Sequence, residues 1–325
     1  MRSADTLSSR VRIGRSSLFA APIGVGTWAW GERRYWGYEQ DHGPRDVVDA
    51  FAESVDAGVD LFDTAEVYGD GESEKILGWL VRKRGGSLLV ATKFGLLPGR
   101  TARLLPRALD ASLRRLGLPH VDLHQIHWPD RTMASIDALM SELARAVESG
   151  KARAVGVSNF SADEMREAHA SLSRYGISLA SNQVHYSLMH RAPEANAVLD
   201  ACRELGVTLL AYSPLEQGIL CGRYDVGQRP IGPRAGHAEF SEESLRAAAP
   251  LVRLLRDIGA AHGDKPPGAV ALAWLTAKDG VVPLAGAKTG AQAKSNAAAL
   301  GLVLREDEMA ALDRASERWR EPLRR

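Results

Sequence analysis

The sequence predicts an α/β fold, a single (β/α)8 (TIM) barrel with an N-terminal hairpin and extra C-terminal helices. Three observations predict it. Eight short apolar runs alternate with eight segments of helical spacing. The runs lack strict apolar–polar alternation, as parallel strands buried on both faces do. No linker or sequence repeat interrupts them, and 325 residues suit one barrel with additions. The rival is a doubly wound open sheet, which needs a switch point that the pattern does not offer.

The elements follow in order. Residues 1–10 are expected to be flexible and residues 11–325 to form one domain. Val11 to Ile13 and Ser17 to Phe19, split by Gly14-Arg15, suggest a hairpin. Strands are expected at 23–26, 60–63, 88–93, 121–127, 152–157, 179–183, 207–212 and 280–284. Helices are expected between them at 46–57, 73–81, 104–116, 133–149, 161–175 and 194–205, with Gly58, Gly117, Gly150 and Gly206 as stops. Ser161 with Glu164 three residues on is a capping-box pattern. A Gly- and Pro-rich loop runs from Ser213 to about Phe240. Helices at 241–262, 268–278, 290–300 and 305–319 complete the chain.

Bulk properties narrow the function. The net charge of +1, without a basic run, argues against nucleic acid and anionic membrane surfaces. No apolar stretch approaches the roughly 20 residues of a membrane span. The first ten residues contain no apolar segment of the kind that a secretory signal carries. Two cysteines do not make a disulfide framework, so a cytoplasmic setting is expected. Oligomeric state is not indicated.

In barrels of this kind, chemistry sits at the C-terminal ends of the strands. The polar residues there are Asp63, Lys93, His127, Ser158, Asn159, Gln183 and Tyr212, with Tyr68 just beyond. Asp63 alone reads equally well as a turn former, and Lys93 alone as a surface lysine. Together, carboxylate, ammonium and phenol make a chain. The carboxylate holds the ammonium, the ammonium stabilises phenolate, and the tyrosine pKa is expected to fall toward neutrality. His127 would add a hydrogen bond to a substrate oxygen.

Other patterns weigh less. His120, His124 and His127 resemble a metal cluster, but 124 and 127 face opposite sides of a strand. No metal site is expected, and His124 reads as packed behind its strand. His185 and His190 read as loop residues. Gly24-Val25-Gly26-Thr27-Trp28-Ala29 fits a G-x-G-x-x-A pattern, yet a loop and a bulky Trp28 follow instead of a helix. Serine hydrolysis lacks a G-x-S-x-G context. Gly286-Ala287-Lys288-Thr289 opens a helix carrying Gln292 and Asn296, either an anion cradle or an ordinary connection. Tyr212 offers an aromatic face to a flat ring.

These segments together resemble the NADP-linked aldo/keto reductases, closest to bacterial and plant-plastid members. The matching stretches are GTWAWG, LFDTAEVYG, VATKF, VDLHQIHWPD, KARAVGVSNF, ASNQVHYSL, VTLLAYSPLEQGIL and GAKTGAQAKSN, from about Gly24 to Leu312. The resemblance implies a catalytic tetrad of Asp63, Tyr68, Lys93 and His127, and an NADPH cofactor. It implies nicotinamide contacts from Ser158, Asn159 and Gln183, with stacking on Tyr212. It implies pyrophosphate contacts from Ser213, Pro214, Leu215, Gln217, Gly218 and Arg223. Adenosine-phosphate contacts fall on Gly286, Lys288, Gln292 and Asn296. Thr27 and Trp28 stand beside the cofactor, and Trp28 and Trp128 as substrate walls with Tyr68 and His127. The implied function is NADPH-dependent reduction of an aldehyde or ketone, with Tyr68 as general acid. The alternatives are a pathway-specific sugar or natural-product oxidoreductase and an NADP-binding regulatory subunit. Potassium-channel β subunits share the barrel but carry asparagine where His127 stands.

Overall fold

The computed structural model describes residues 10–320. The expected loose N-terminus therefore lies, except for Arg10, outside the described residues, as do the last five residues of the chain. Eight parallel strands close into a barrel: β3 (Gly24–Gly26), β4 (Leu61–Asp63), β5 (Leu89–Phe94), β6 (Val121–Ile126), β7 (Ala152–Ser158), β8 (Leu179–His185), β9 (Thr208–Tyr212) and β10 (Val281–Gly286). Closure is direct, since β10 pairs with both β9 and β3. An antiparallel hairpin, β1 (Val11–Arg12) with β2 (Phe19–Ala20), precedes the barrel.

The hairpin plugs the N-terminal end. Ile13, Leu18 and Ala20 join Leu61, Leu89, Leu123, Ala154, Leu210 and Leu284 in the barrel interior. Gly14 has φ +55° and lies on the backbone of Ala180, so no side chain fits there. Its N–H donates to Thr208 Oγ1 at 2.7 Å.

The helices form the outer layer: α1 (Pro44–Asp56), α2 (Glu72–Arg84), α3 (Leu105–Leu116), α4 (Ile136–Glu148), α5 (Ala162–Ser173), α6 (Ala192–Ala195), α7 (Val198–Leu205), α8 (Glu242–Ala261), α9 (Pro267–Thr276), α10 (Gly290–Ala297) and α11 (Glu306–Ala315). Ser161 and Glu164 form the expected capping box of α5. The single helix expected at 194–205 is instead broken into α6 and α7. Asn196 Oδ1 accepts from Val198 N–H at 3.2 Å, and Ala197 takes φ +63°. Side-chain capping there competes with the helical ladder. The last helix is shorter than expected and ends in a 3-10 turn, Glu317–Trp319. The long loop contains three further 3-10 turns: Glu216–Gly218, Gly232–Gly236 and Ala238–Phe240.

Inward-facing positions change character along the barrel axis. Leu61, Leu89 and Leu123 form the lower layer, and the same faces of β4, β5 and β6 then present Asp63, Lys93 and Gln125. This apolar-to-polar column brings the site residues together.

Candidate active site

Asp63 ends β4 and is 3% exposed, while Lys93 on β5 is 1% exposed. Lys93 Nζ pairs with Asp63 Oδ1. It also donates to the Thr64 carbonyl at 2.9 Å and to the Tyr68 hydroxyl at 3.3 Å. Tyr68 opens the tight turn Tyr68–Gly71, where Gly69, Asp70 and Gly71 all have positive φ. That turn sends the chain back into α2 and leaves the phenol over the barrel mouth. His127 follows β6, its ring 5.7 Å from that of Tyr68 and nearly perpendicular to it. All four residues expected to form a tetrad thus meet.

The electrostatics differ from expectation at Tyr68. Burial raises its pKa and Asp63 adds to the rise, which outweighs the lowering by Lys93. The phenol therefore keeps its proton at neutral pH, contrary to the expected fall toward neutrality. Burial pulls Lys93 down, but Asp63 and Tyr68 more than offset this, so it remains an ammonium. Burial, then Lys93, pushes His127 down to about 2, so its imidazole is neutral. Its Nδ1 is buried without a partner among the described residues.

The expected nicotinamide contacts line the adjoining wall. Ser158 Oγ donates to the Gln183 carbonyl at 2.8 Å. Asn159, at φ +62°, donates to the His127 carbonyl at 3.0 Å and accepts from the Tyr212 hydroxyl at 3.1 Å. Gln183 donates to Asp63 Oδ2 at 3.0 Å. Trp28 is 37% exposed, stacks on Tyr35 at 4.9 Å and lies 6.0 Å from the Tyr68 ring. Trp128 lies 4.2 Å from the His127 ring. Thr27 faces away from this group. It is fully buried, and its hydroxyl contacts the Asp63 carbonyl at 3.0 Å and Ser73 at 2.8 Å.

The loop after β9 is tightly wound. Ser213, Glu216 and Gln217 all have positive φ, a conformation that costs non-glycine residues energy. Pro214 and Leu215 are buried under the turn, and Gly218 completes it at φ +109°. Gln217 accepts from the Tyr35 hydroxyl at 3.1 Å, while Arg223 is exposed. Glu216, which the sequence did not single out, holds this loop. It accepts from His185 Nε2 at 2.7 Å and from Ser187 Oγ at 2.5 Å. His185 ends β8 rather than lying in a loop, and its ring stacks between Tyr212 at 5.3 Å and His190 at 3.9 Å.

Around Lys288 the structure collects cations. Lys288 Nζ donates to the Trp36 carbonyl at 2.7 Å, and burial followed by the charge of Arg234 lowers its pKa to about 8. Arg234, also not foreseen, is 6% exposed and lies 5.2 Å from the Trp36 ring. It donates to the Tyr224 hydroxyl at 3.1 Å and makes no ion pair among the described residues. Gln292 accepts from Lys288 N–H at 2.8 Å, and Asn296 donates to the Gly286 carbonyl at 3.1 Å. Lys288 has only a distant carboxylate, Asp41 at 3.9 Å, and the excess of positive charge over carboxylate fits a phosphate group of a dinucleotide.

The remaining histidine geometry follows strand parity. His124 is buried behind β6 and its pKa is pushed down to about 4 by burial. No group of three or more His, Cys, Asp or Glu that could hold a metal exists among the described residues. After Gly24–Gly26 the chain turns, and no α-helix begins before Pro44.

The match to known proteins spans nearly all of this framework. A profile of the aldo/keto reductase family matches residues 22–317. The chain belongs to the aldo/keto reductase family. It is 35% identical over 321 residues to the chloroplastic pyridoxal reductase of Arabidopsis thaliana, covering 95% of this chain and 86% of that protein. It is 30% identical over 323 residues to an NADH-specific methylglyoxal reductase of Escherichia coli, covering 91% and 94% respectively. Among solved structures, the glycerol dehydrogenase of Gluconobacter oxydans superposes with a TM-score of 0.84 at 29% identity, over 97% of this chain and 98% of that one. Membership sets the general chemistry: an oxidoreductase of carbonyl groups that uses a nicotinamide cofactor. No helix among the described residues is long and apolar enough to cross a membrane.

Proposed function

We propose that the chain reduces an aldehyde or ketone with NADPH, Tyr68 supplying the proton. The observation that carries this reading is the contrast between two groups at the mouth. His127 is neutral, its pKa held at about 2 by burial and then Lys93, and can offer a substrate oxygen a hydrogen bond but not an acidic proton. Tyr68 is a protonated phenol 3.3 Å from a buried ammonium. As the carbonyl oxygen gains charge, Tyr68 is the group that can transfer a proton, and Lys93 stabilises the phenolate left behind. Asp63 holds Lys93 in place. Trp28 and Trp128 flank the site.

The bound nicotinamide would supply the hydride. Ser158, Asn159 and Gln183 would hold its carboxamide and Tyr212 its face. The turn at residues 213–218 and Arg223 would hold the pyrophosphate. Gly286, Lys288, Gln292 and Asn296 would hold the adenosine phosphate. The cations at Lys288 and Arg234 favour NADPH. NADH is the second reading, favoured by the relative named as NADH-specific. The reading goes with a cytoplasmic setting, which two free cysteines fit.

The test is oxidation of NADPH and of NADH with a carbonyl panel headed by pyridoxal and methylglyoxal, beside Tyr68→Phe. The expected result is turnover that falls about 100- to 10,000-fold in the variant, the usual size of a proton-transfer contribution, while NADPH affinity holds. Undiminished turnover in Tyr68→Phe would reject Tyr68 as the acid. Tight NADPH binding without turnover of any carbonyl would point to a regulatory protein.

A further inference from the structure

We infer that Gln125 is a positioning residue for the reaction: it holds the carboxylate of Asp63 in the orientation that lets Lys93 serve Tyr68. This rests on the carbonyl-reductase reading of the same site. Gln125 lies on β6 with no exposed surface. Its Nε2 donates to Asp63 Oδ2 at 3.1 Å. Gln183 donates to the same oxygen at 3.0 Å, while Lys93 takes Oδ1. The two carboxylate oxygens thus have separate duties. Oδ2 is tied to neutral amides on β6 and β8, and Oδ1 faces the ammonium.

The surroundings keep Gln125 in this pose. Its Oε1 accepts from Ser181 Oγ and from Gln183 Nε2, both at 3.4 Å. The neighbouring β7 position is Gly156, and a methyl group there would land on Ser181 Oγ and press against Gln125 Cγ. The strand therefore leaves room for the amide by having no side chain. A barrel interior that is apolar below would accept a leucine at this position by size. The amide instead matches the one carboxylate oxygen that Lys93 leaves over.

Gln183 has a second expected duty toward the cofactor carboxamide, so it is an uncertain anchor for Asp63 during turnover. Gln125 lies deeper, and its Nε2 donates to Asp63 alone. Without it, Oδ2 keeps one donor, and the carboxylate can rotate to split Lys93 between its two oxygens. The ammonium then loses its fixed direction toward the phenol. The effect belongs to the proton-transfer step and not to cofactor binding.

The experiment uses the full chain with NADPH and 4-nitrobenzaldehyde, comparing Gln125→Met, Gln125→Glu and Tyr68→Phe. Methionine keeps the volume and removes the donor. Glutamate restores a donor only while it is protonated, since two adjoining carboxylates cannot both ionise freely. The expected result for Gln125→Met is kcat reduced at least about tenfold, with the NADPH Kd within about twofold and a pH profile shifted by half a unit or more. Gln125→Glu is expected to approach wild-type kcat at low pH and to fall to the methionine level as pH rises. Unchanged kcat and pH profile in Gln125→Met would overturn the inference. So would a loss of kcat matched by a loss of NADPH affinity with the profile unmoved. If both variants fail to fold, Gln125 is a folding residue and the inference is wrong. Turnover that survives Tyr68→Phe would instead fault the underlying reading of the site.

Discussion

Replacing Lys93 by methionine separates the chemical from the structural role of the buried ion pair. At 3.3 Å, an ammonium and a developing phenolate attract by about 5 kcal/mol for an effective dielectric constant near 20. If half the charge has formed in the transition state, about 2.5 kcal/mol is lost, or on the order of 70-fold in kcat. The same change leaves Asp63, 3% exposed, without its cation, at a stability cost of about 3–5 kcal/mol. Adding Asp63→Asn removes the stranded charge. The double variant is therefore expected to regain most of the stability and none of the rate. Chemical denaturation reads the first quantity, and oxidation of NADPH with a saturating carbonyl reads the second. A Lys93→Met enzyme within about threefold of wild-type kcat would refute the reasoning, as would a double variant that recovers activity.

Two further outcomes follow from the charges around the mouth. Lys288→Met is expected to raise the NADPH Kd at least about tenfold, a loss of roughly 1.4 kcal/mol, while leaving the NADH Kd nearly unchanged. In the wild-type chain NADPH affinity should weaken as pH passes about 8, where the Lys288 ammonium loses its proton. Titration by fluorescence checks both, and equal effects on the two cofactors would remove the phosphate role. Glu216→Gln tests the clamp under the 213–218 turn. Burial opposes both charges, but the pairing prevails, raising the pKa of His185 and lowering that of Glu216. The Glu216 contribution is present above its unfolded pKa of about 4.3 and is lost as pH falls through its folded value. The His185 contribution is full below about 6.5 and is lost as pH rises through its folded value. The stability gap between wild type and variant, about 2 kcal/mol, should therefore be widest between those limits and narrow as pH rises through the raised His185 value. A gap that does not vary with pH would sink this account.

Strand parity made much of the site legible in advance. Period two along β4 and β5 assigns Asp63 and Lys93 to the interior, and the same rule sends His124 outward and His127 to the mouth. Gln125 obeys that rule too, two residues before His127, but a neutral amide between two histidines carries no motif of its own. The helix break at Ala197 and the strained turn at Glu216 left no comparable trace, because neither depends on a periodic pattern. The stacking of Tyr212 on His185 joins residues 27 positions apart in sequence, so only the closed barrel reveals it. The rise of the Tyr68 pKa is hidden from sequence for a related reason. Motifs name charges, whereas desolvation depends on how the loops cover them.

The hairpin that seals the lower end of the barrel constrains the order of assembly. It is synthesised before the barrel strands, yet its seat includes, beside Leu61, Leu89 and Leu123, Ala180 on β8, Thr208 on β9 and Leu284 on β10. Those last three are made well after it. A nascent chain therefore leaves the seat of Ile13 and Leu18 incomplete until β10 has been made. Folding cannot finish vectorially from the N-terminus, and a chain that stops before β10 lacks both the closing strand and the stopper's socket.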